Sequence, residues 1–467
     1  MEKNLKHILL SDTSHWKADR MVRQRYADIR SFDSIPLWFS RLGVSWMADS
    51  LLACLQREVP RNGLDTTAFF LEQITQDLEI VHTLAFDSLG ISINEVLPRL
   101  DYCLSKAYIR YTVGQRYGFM RPDVVFNHLD KKANTEDFAR LFDHEVAAPD
   151  YKEALRLLDD ESRMDYLKTS QPANPIYQTF QRQLASTTDK ATRRKLAINM
   201  ERCRWQIKQQ EAAERTVLVN IPAQQLWAVG PDSVLSMRIC CGAKASKTPL
   251  LNSVISYMQV NPDWIIPQNI VASDIVRHAG DSAYFARHHY YIVDRNSGDT
   301  LQPAHVGSSQ ILSGHLRIGQ KGGEGNSLGR IVFRFPNNFA VYLHDTNNRN
   351  AFSRERRTLS HGCIRVEKPF ELACFLLPEA DDWEKDKLRI SMDIEPETEK
   401  GVIYLEEHAD EQRPYRLLTY HAVTPKVPVY ILYFTVYPNP ETGETEMWPD
   451  VYGYDEVIAR EIKPFLP

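Results

Sequence analysis

A chain of 467 residues is about three times the commonest domain size, which favours two or three structural units over one undivided core. Apolar residues at 43% and charged residues at 25% support a buried interior with a solvated exterior and exclude wholesale disorder. The 56 basic and 61 acidic side chains give a formal charge of -5, which excludes the broad positive field of a dedicated nucleic-acid binder and leaves room only for a local basic groove.

The opening MEKNLKHILLSDTSHWK carries only a short apolar run, too short for an export signal or a spanning helix, and does not decide which start is native. Residues 1 to about 210 read as a mainly helical scaffold domain. Leu71, Ile74, Leu78 and Val81 recur at helical spacing with polar residues between them, a stripe that faces a core. Leu104, Ala107, Tyr108 and Tyr111 keep the same period from Leu100 to Gly118, while Gly114 and Gly118 invite a bend or a close approach. Packing explains these aromatics better than a peptide-binding role. Residues 157 to 175 are charge-rich and read as a turn region, followed by another helix through RRKLAINMERCRWQIKQQ. Arg193, Arg194 and Lys195 are expected on a solvated helix face, and Trp205 as a packing anchor.

The pattern changes near 216. TVLVNIPAQQLWAV, SVLSMRICCGA, SVISYMQV, RIVFRF and FAVYLHDT are short β-favouring runs separated by Gly, Pro, Asn or Asp, so a β-rich catalytic domain is placed at 216–398. A further strand is expected around Val427 to Pro438, then a turn and a short helix, with 399–467 as a C-terminal extension that completes the fold. The fold class is multidomain α+β.

Seven cysteines show no repeated CxxC and no disulfide framework, and the adjacent Cys240 and Cys241 would point to opposite faces of a strand. Cys363 differs from the other six. It follows Gly362 in a predicted turn, and His344 ends a predicted β run 19 positions earlier, so folding could bring thiol and imidazole together. Cys363 is the candidate nucleophile and His344 its base, a histidine that favours the thiolate. Amides around His361, Gly362 and Cys363 could stabilise a developing oxyanion. The thiolate would attack a carbonyl, release an amine with protonated His344 as acid, and leave a thioester for an amine or water to resolve. His361 supports the turn or the substrate, Arg365 orients a carboxylate or a loop, and Tyr342 shares the face of His344 on a strand. Each also has a plain structural reading in packing or a surface ion pair. His344, His361 and Cys363 are too compressed in spacing for a recognisable zinc set, so neither a metal nor another cofactor is called for.

LHDTNNRNAFSRERRTLSHGCIRV resembles the catalytic signature of the YkuD-type L,D-transpeptidases. VLVNIPAQQLWAV, KTPLLNSVISYMQVNPDWIIPQNI and GNSLGRIVFRF resemble that family's catalytic core in the same order, while NMERCRW and the N-terminal helices resemble its large-scaffold branch. The resemblance covers most of the chain. It implies Cys363 as nucleophile, His344 as base and the backbone from His361 through Cys363 as the oxyanion-stabilising turn, with Tyr342, Asn347 and Arg365 at pocket-organising positions. It further implies a peptidoglycan tetrapeptide donor ending in D-alanine, an acceptor stem, a 3→3 cross-link and carbapenem acylation of Cys363. The expected location is the periplasm or the outer face of the cytoplasmic membrane, with a possible N-terminal anchor absent from this chain.

Two departures stand out. Cys203 occupies a position where the family often has tryptophan, and the stretch from 160 to 195 lacks the inserted peptidoglycan-binding domain frequent in this branch. Chain capture then falls to the cleft or the scaffold. Asn261 to Gly325 is long enough for a mobile lid, with Pro262, Pro267 and the Gly322/Gly323 turn, although its tyrosines and histidines read equally as surface and hinge residues. The same acyl-enzyme would serve an L,D-carboxypeptidase or other cell-wall hydrolase, and a peptidoglycan-binding scaffold with a disabled site is the non-enzymatic alternative.

Overall fold

The computed structural model describes residues 2–28, 36–40, 42–132, 135–208, 213–411 and 415–467. It divides into two compact units. One comprises Met1–Gln209 with Phe434–Pro438 and Glu444–Pro467, and the other Gln210–Tyr433 with Asn439–Gly443. The sequence boundary at 210 falls among residues 209–212, which lie outside the described residues.

The first unit is helical. Helices α1 (Trp46–Arg61), α2 (Leu71–Thr83), α3 (Ile93–Tyr117) and α4 (Lys190–Arg204) form its frame. The Ser45 hydroxyl accepts from the Met47 N–H and Ser92 accepts from Asn94 N–H, so α1 and α3 begin where a short side chain satisfies a free donor. Leu71, Ile74 and Leu78 are buried as their spacing requires, with Val81 half-buried at the end of the stripe. Leu104, Ala107, Tyr108 and Tyr111 are all buried on α3. Gly114 does not bend that helix: a Cβ there would lie 2.2 Å from the Phe119 ring, so its role is close approach, and Gly118 ends the helix at φ +85°.

Two expectations for this unit need correction, and the C-terminal extension takes a more specific form. The turn region at 157–175 contains the helix Arg163–Lys168, because Ser162 and Asp160 provide a local start for it. Arg193 and Lys195 are not simply solvated: Arg193 donates to the Leu184 and Thr187 carbonyls, and Lys195 to that of Trp448. The C-terminal stretch is divided between the two units. Buried Arg202 holds Asp455 at 2.6 Å, and Asn199 exchanges hydrogen bonds with Thr435 at 2.9 and 3.0 Å, which ties 434–438 and the helix Tyr454–Glu461 to α4. The strand predicted through Pro438 is accordingly two strands, Tyr420–Leu432 and Val436–Pro438.

The second unit is β-rich. Its strands are β1 (Thr216–Asn220), β2 (Gln225–Val229), β3 (Val234–Gly242), β4 (Leu250–Val260), β5 (Trp264–Ile265), β6 (Tyr290–Asp294), β7 (Thr300–Leu301), β8 (Leu316–Gln320), β9 (Ile331–Arg334), β10 (Leu343–His344), β11 (Thr358–Ser360), β12 (Ile364–Val366) and β13 (Tyr420–Leu432). Hydrogen-bonded pairings run full circle in the order β9, β10, β12, β3, β2, β1, β13, β4 and back to β9. All are antiparallel except β10 with β12 and β1 with β13. Both faces of β3 are covered, so Cys240 and Cys241 are each fully buried although they point opposite ways.

The stretch from Asn261 to Gly325 is an insertion with its own structure. Strands β7, β6, β8 and β5 form a separate sheet in that order, and Ile266, Val271, Ile275, Phe285, Ile292, Val306, Ile311, Leu316 and Ile318 close a core beneath it. Each such buried side chain contributes roughly 1.5–3 kcal/mol, so this is a small subdomain rather than a loop. Its two ends are pinched together: Gly322 lies so close to Asn261 that a Cβ would meet the Asn261 carbonyl oxygen at 2.2 Å, and its N–H donates to Asp263.

Candidate active site

The short strand β10 decides the geometry. It lies antiparallel to β9, with Val332 opposite His344, and parallel to β12, with His344 opposite Arg365 and Leu343 opposite Ile364. Strand alternation sends Leu343 and Ile364 into the core, where both are fully buried, and sends Tyr342, His344, Cys363 and Arg365 to the opposite face. These four side chains form a two-by-two array across neighbouring strands about 4.8 Å apart. Tyr342 stands beside Cys363, His344 beside Arg365, and Cys363 lies diagonal to His344. The sequence separation of 19 residues between thiol and imidazole thus closes through a single parallel pairing.

The turn before Cys363 is held from below. Gly362 has φ +120°, a conformation that favours glycine, while its nearest neighbours would lie 3.9 Å or more from a Cβ, so backbone conformation rather than space selects the residue. Its N–H donates to Ser360 Oγ at 3.2 Å, the Ser360 hydroxyl donates to the Cys363 carbonyl, and Thr248 Oγ1 donates to the Gly362 carbonyl at 2.8 Å. The amide of Gly362 is therefore engaged in the turn, which differs from the expectation that it faces an acyl oxygen. The donors set at the thiol come from Tyr342, whose backbone N–H and phenol both reach the Cys363 sulfur.

His344 is buried, at 4% exposure. Its Nδ1 faces the Asp345 carbonyl at 2.5 Å; a carbonyl only accepts, so this contact is satisfied by the tautomer with the proton on Nδ1, which makes Nε2 the basic nitrogen. Burial, reinforced by the charge of Arg365, pushes the imidazole down to about 3 against the opposing pull of the Asp345 and Leu328 carbonyls. Burial also pushes the Cys363 thiol up, more than the Tyr342 hydrogen bonds and the charges of Arg334 and Arg365 draw it down. Burial thus biases both members of the pair towards their neutral forms, against the thiolate that a neighbouring histidine would favour. Burial likewise raises the Tyr342 phenol, which stays protonated and packs edge-on to the His344 ring at 5.7 Å between centroids.

A cavity of about 300 Å³ opens over the array and is lined by Tyr342, His344, His361, Cys363 and Arg365 together with residues of the insertion. Arg365 keeps a buried Nε with no hydrogen-bond partner among the described residues. His361 stands half exposed at the rim, 3.8 Å from Asp274 of the insertion. Asn347 does not line the cavity: it is exposed, and its side chain donates to the Gly325 carbonyl at 2.8 Å, tying the loop after His344 to the base of the insertion. Residues not singled out in the sequence complete the walls, chiefly Trp264, Pro267, Asn269 and Ile270 of the insertion and Phe339, Ala340 and Val341 before β10. Trp264 also donates to the Tyr342 phenol. Its one sequence signal was an aromatic between two prolines in NPDWIIP. Among the described residues no three His, Cys, Asp or Glu side chains gather as ligands for a metal ion.

Residues 214–390 match the YkuD family, described as the L,D-transpeptidase catalytic domain, and residues 26–184 match a family described as the Scaffold domain. A Haemophilus influenzae protein named "Putative L,D-transpeptidase" is 30% identical over 311 residues, 65% of this chain and 58% of that protein. The match thus spans little more than half the length of that relative. The β-rich unit, with its thiol and imidazole on adjoining strands, is a YkuD L,D-transpeptidase catalytic domain, carried by this chain behind an N-terminal helical scaffold domain.

Proposed function

We propose that this chain is a cysteine L,D-transpeptidase that makes 3→3 peptidoglycan cross-links through a thioester. The observation that carries this reading is the array of Tyr342, His344, Cys363 and Arg365 on one face of β10 and β12, at the floor of a cavity of about 300 Å³. The donor is a tetrapeptide stem ending in D-alanine. His344 Nε2 takes the Cys363 proton as sulfur attacks the carbonyl of the L-centre, so that no free thiolate accumulates beforehand. The Tyr342 N–H and phenol, which reach the sulfur, stabilise the negative charge that develops beside it. Collapse of the tetrahedral intermediate breaks the C–N bond, the imidazolium returns its proton to the departing D-alanine nitrogen, and the acyl group remains on sulfur. An amine of a second stem then attacks the thioester, giving up its proton through His344 and regenerating the thiol. Arg365, with a free buried Nε, orients a substrate carboxylate, and His361 lines the entrance.

Peptidoglycan as substrate places the enzyme in the periplasm or at the outer face of the cytoplasmic membrane. Among the described residues no helix is long and apolar enough to cross a membrane. A carbapenem would acylate the same sulfur.

The test is to incubate the purified chain with defined tetrapeptide muropeptides and to analyse products by mass spectrometry. Dimers with a direct 3→3 bond are expected. Exclusively shortened monomers would make the chain an L,D-carboxypeptidase, no product would leave a binding scaffold, and turnover undiminished in Cys363→Ala would overturn the mechanism. A carbapenem mass increment on the wild-type chain that is absent from Cys363→Ala is the companion result.

A further inference from the structure

Behind the array, on the side away from β12, lies a cation that the mechanism does not yet use. Arg334 ends β9, one register position beyond the Phe333–Leu343 pair, which sets it beside Tyr342 on the face of the array. Its guanidinium covers the Tyr342 ring at 4.4 Å from the centroid. No carboxylate pairs with it among the described residues: its one polar contact is a weak one, Nη2 to the Gln259 side chain at 3.4 Å, and its Nε is buried without a partner. A half-buried guanidinium whose Nε is shut off from water with so little compensation is held at a cost, and a purely structural site would be expected to supply a carboxylate.

We propose that Arg334 is a positioning residue for the nucleophile, pinning the Tyr342 ring against Cys363 and lending its positive charge to the sulfur as negative charge develops there. The inference rests on Cys363 being the reactive thiol. Three contacts on Tyr342 converge: the guanidinium on its ring, Trp264 on its hydroxyl, and the edge of His344. The phenol is left with one orientation, in which it reaches the sulfur. Arg334 thereby acts through Tyr342 and through space rather than by touching substrate, in keeping with its place outside the cavity lining.

The sulfur is faced by Tyr342 and by the Ala340 carbonyl at 3.8 Å, with the charges of Arg334 and Arg365 acting on it and His344 and His361 lining the same cavity; Arg334 is faced by Tyr342 on β10 and by Gln259 and Tyr257 on β4. Both effects of Arg334 have one sign. Its charge favours the thiolate of Cys363 over the thiol, so its removal should make the sulfur harder to ionise.

The experiment follows alkylation of Cys363 by iodoacetamide in the full chain across pH, with peptide mass spectrometry separating it from the other six cysteines. No muropeptide is needed, so failure here is distinct from failure of the proposed transpeptidation. In Arg334→Gln the pH–rate line should move about one unit to the alkaline side, so alkylation at fixed neutral pH is about tenfold slower. Arg334→Lys keeps the charge and should recover most of the rate, while losing the flat contact on Tyr342. A folded Arg334→Gln chain with an unchanged profile overturns the proposal. Equal displacement by Lys and Gln would overturn the part played by charge, and the Lys variant serves as the test if the Gln variant does not fold.

Discussion

The resting protonation of the pair is open to direct measurement. With His344 held at about 3 and Cys363 raised above an ordinary thiol, moving the proton from sulfur to imidazole costs at least about 7 kcal/mol before the two new charges attract. Even at contact distance that attraction returns only about 4 kcal/mol at the effective dielectric suited to such sites. The remainder, at least about 3 kcal/mol, keeps the ion pair below about one molecule in a hundred. The assay is ultraviolet thiolate absorbance, recorded as the difference between the wild-type chain and Cys363→Ser between about pH 5 and pH 8, a range in which an ordinary thiol is largely protonated. No thiolate signal should appear. A full equivalent of thiolate at neutral pH, lost in both Cys363→Ser and His344→Gln, would refute the reasoning, because burial would then have failed to hold both groups neutral.

The same burial has a stability consequence: as the folded imidazole binds its proton later than the unfolded one, stability is lost as pH falls from about 6.5 towards 3, and His344→Gln should flatten that part of the urea midpoint profile. Asp386 is fully buried and, although burial alone would raise it, hydrogen bonds from Thr398, Glu397 and Arg389 draw its carboxyl below the usual range. Its contribution is present above the unfolded carboxylate value and lost as pH falls through the lower folded one, and Asp386→Asn should cost about 2–4 kcal/mol at neutral pH by chemical denaturation. Gly329→Ala would place a Cβ 2.4 Å from the Asp345 side chain at φ +64°, so a loss of more than about 3 kcal/mol is expected, read as a fall in denaturation midpoint or in soluble yield. Gly362→Ala has space but the wrong backbone conformation: a cost of about 1–3 kcal/mol in stability should accompany a loss of at least about tenfold in acylation, measured by carbapenem mass labelling.

The local pattern in the sequence was enough to place a helical unit before a β-rich one, because stripes such as Leu71, Ile74 and Leu78 and alternating runs such as those of β1 and β2 express periodicities of the backbone itself. It was also enough to single out Cys363 and His344, since glycine before a cysteine and histidine at a strand end are chemically legible without coordinates. Only the tertiary structure decided what surrounds them. Trp264 and Arg334 reach Tyr342 from an insertion and from a neighbouring strand, through pairings that no local period encodes, and Asn347 turned away from the cavity because the Gly325 carbonyl offered it a partner. The protonation of the thiol and imidazole belongs to the same class. Residue type fixes the ordinary titration range, but desolvation shifts it, and desolvation exists only once β9, β10, β12 and the insertion have closed around the site.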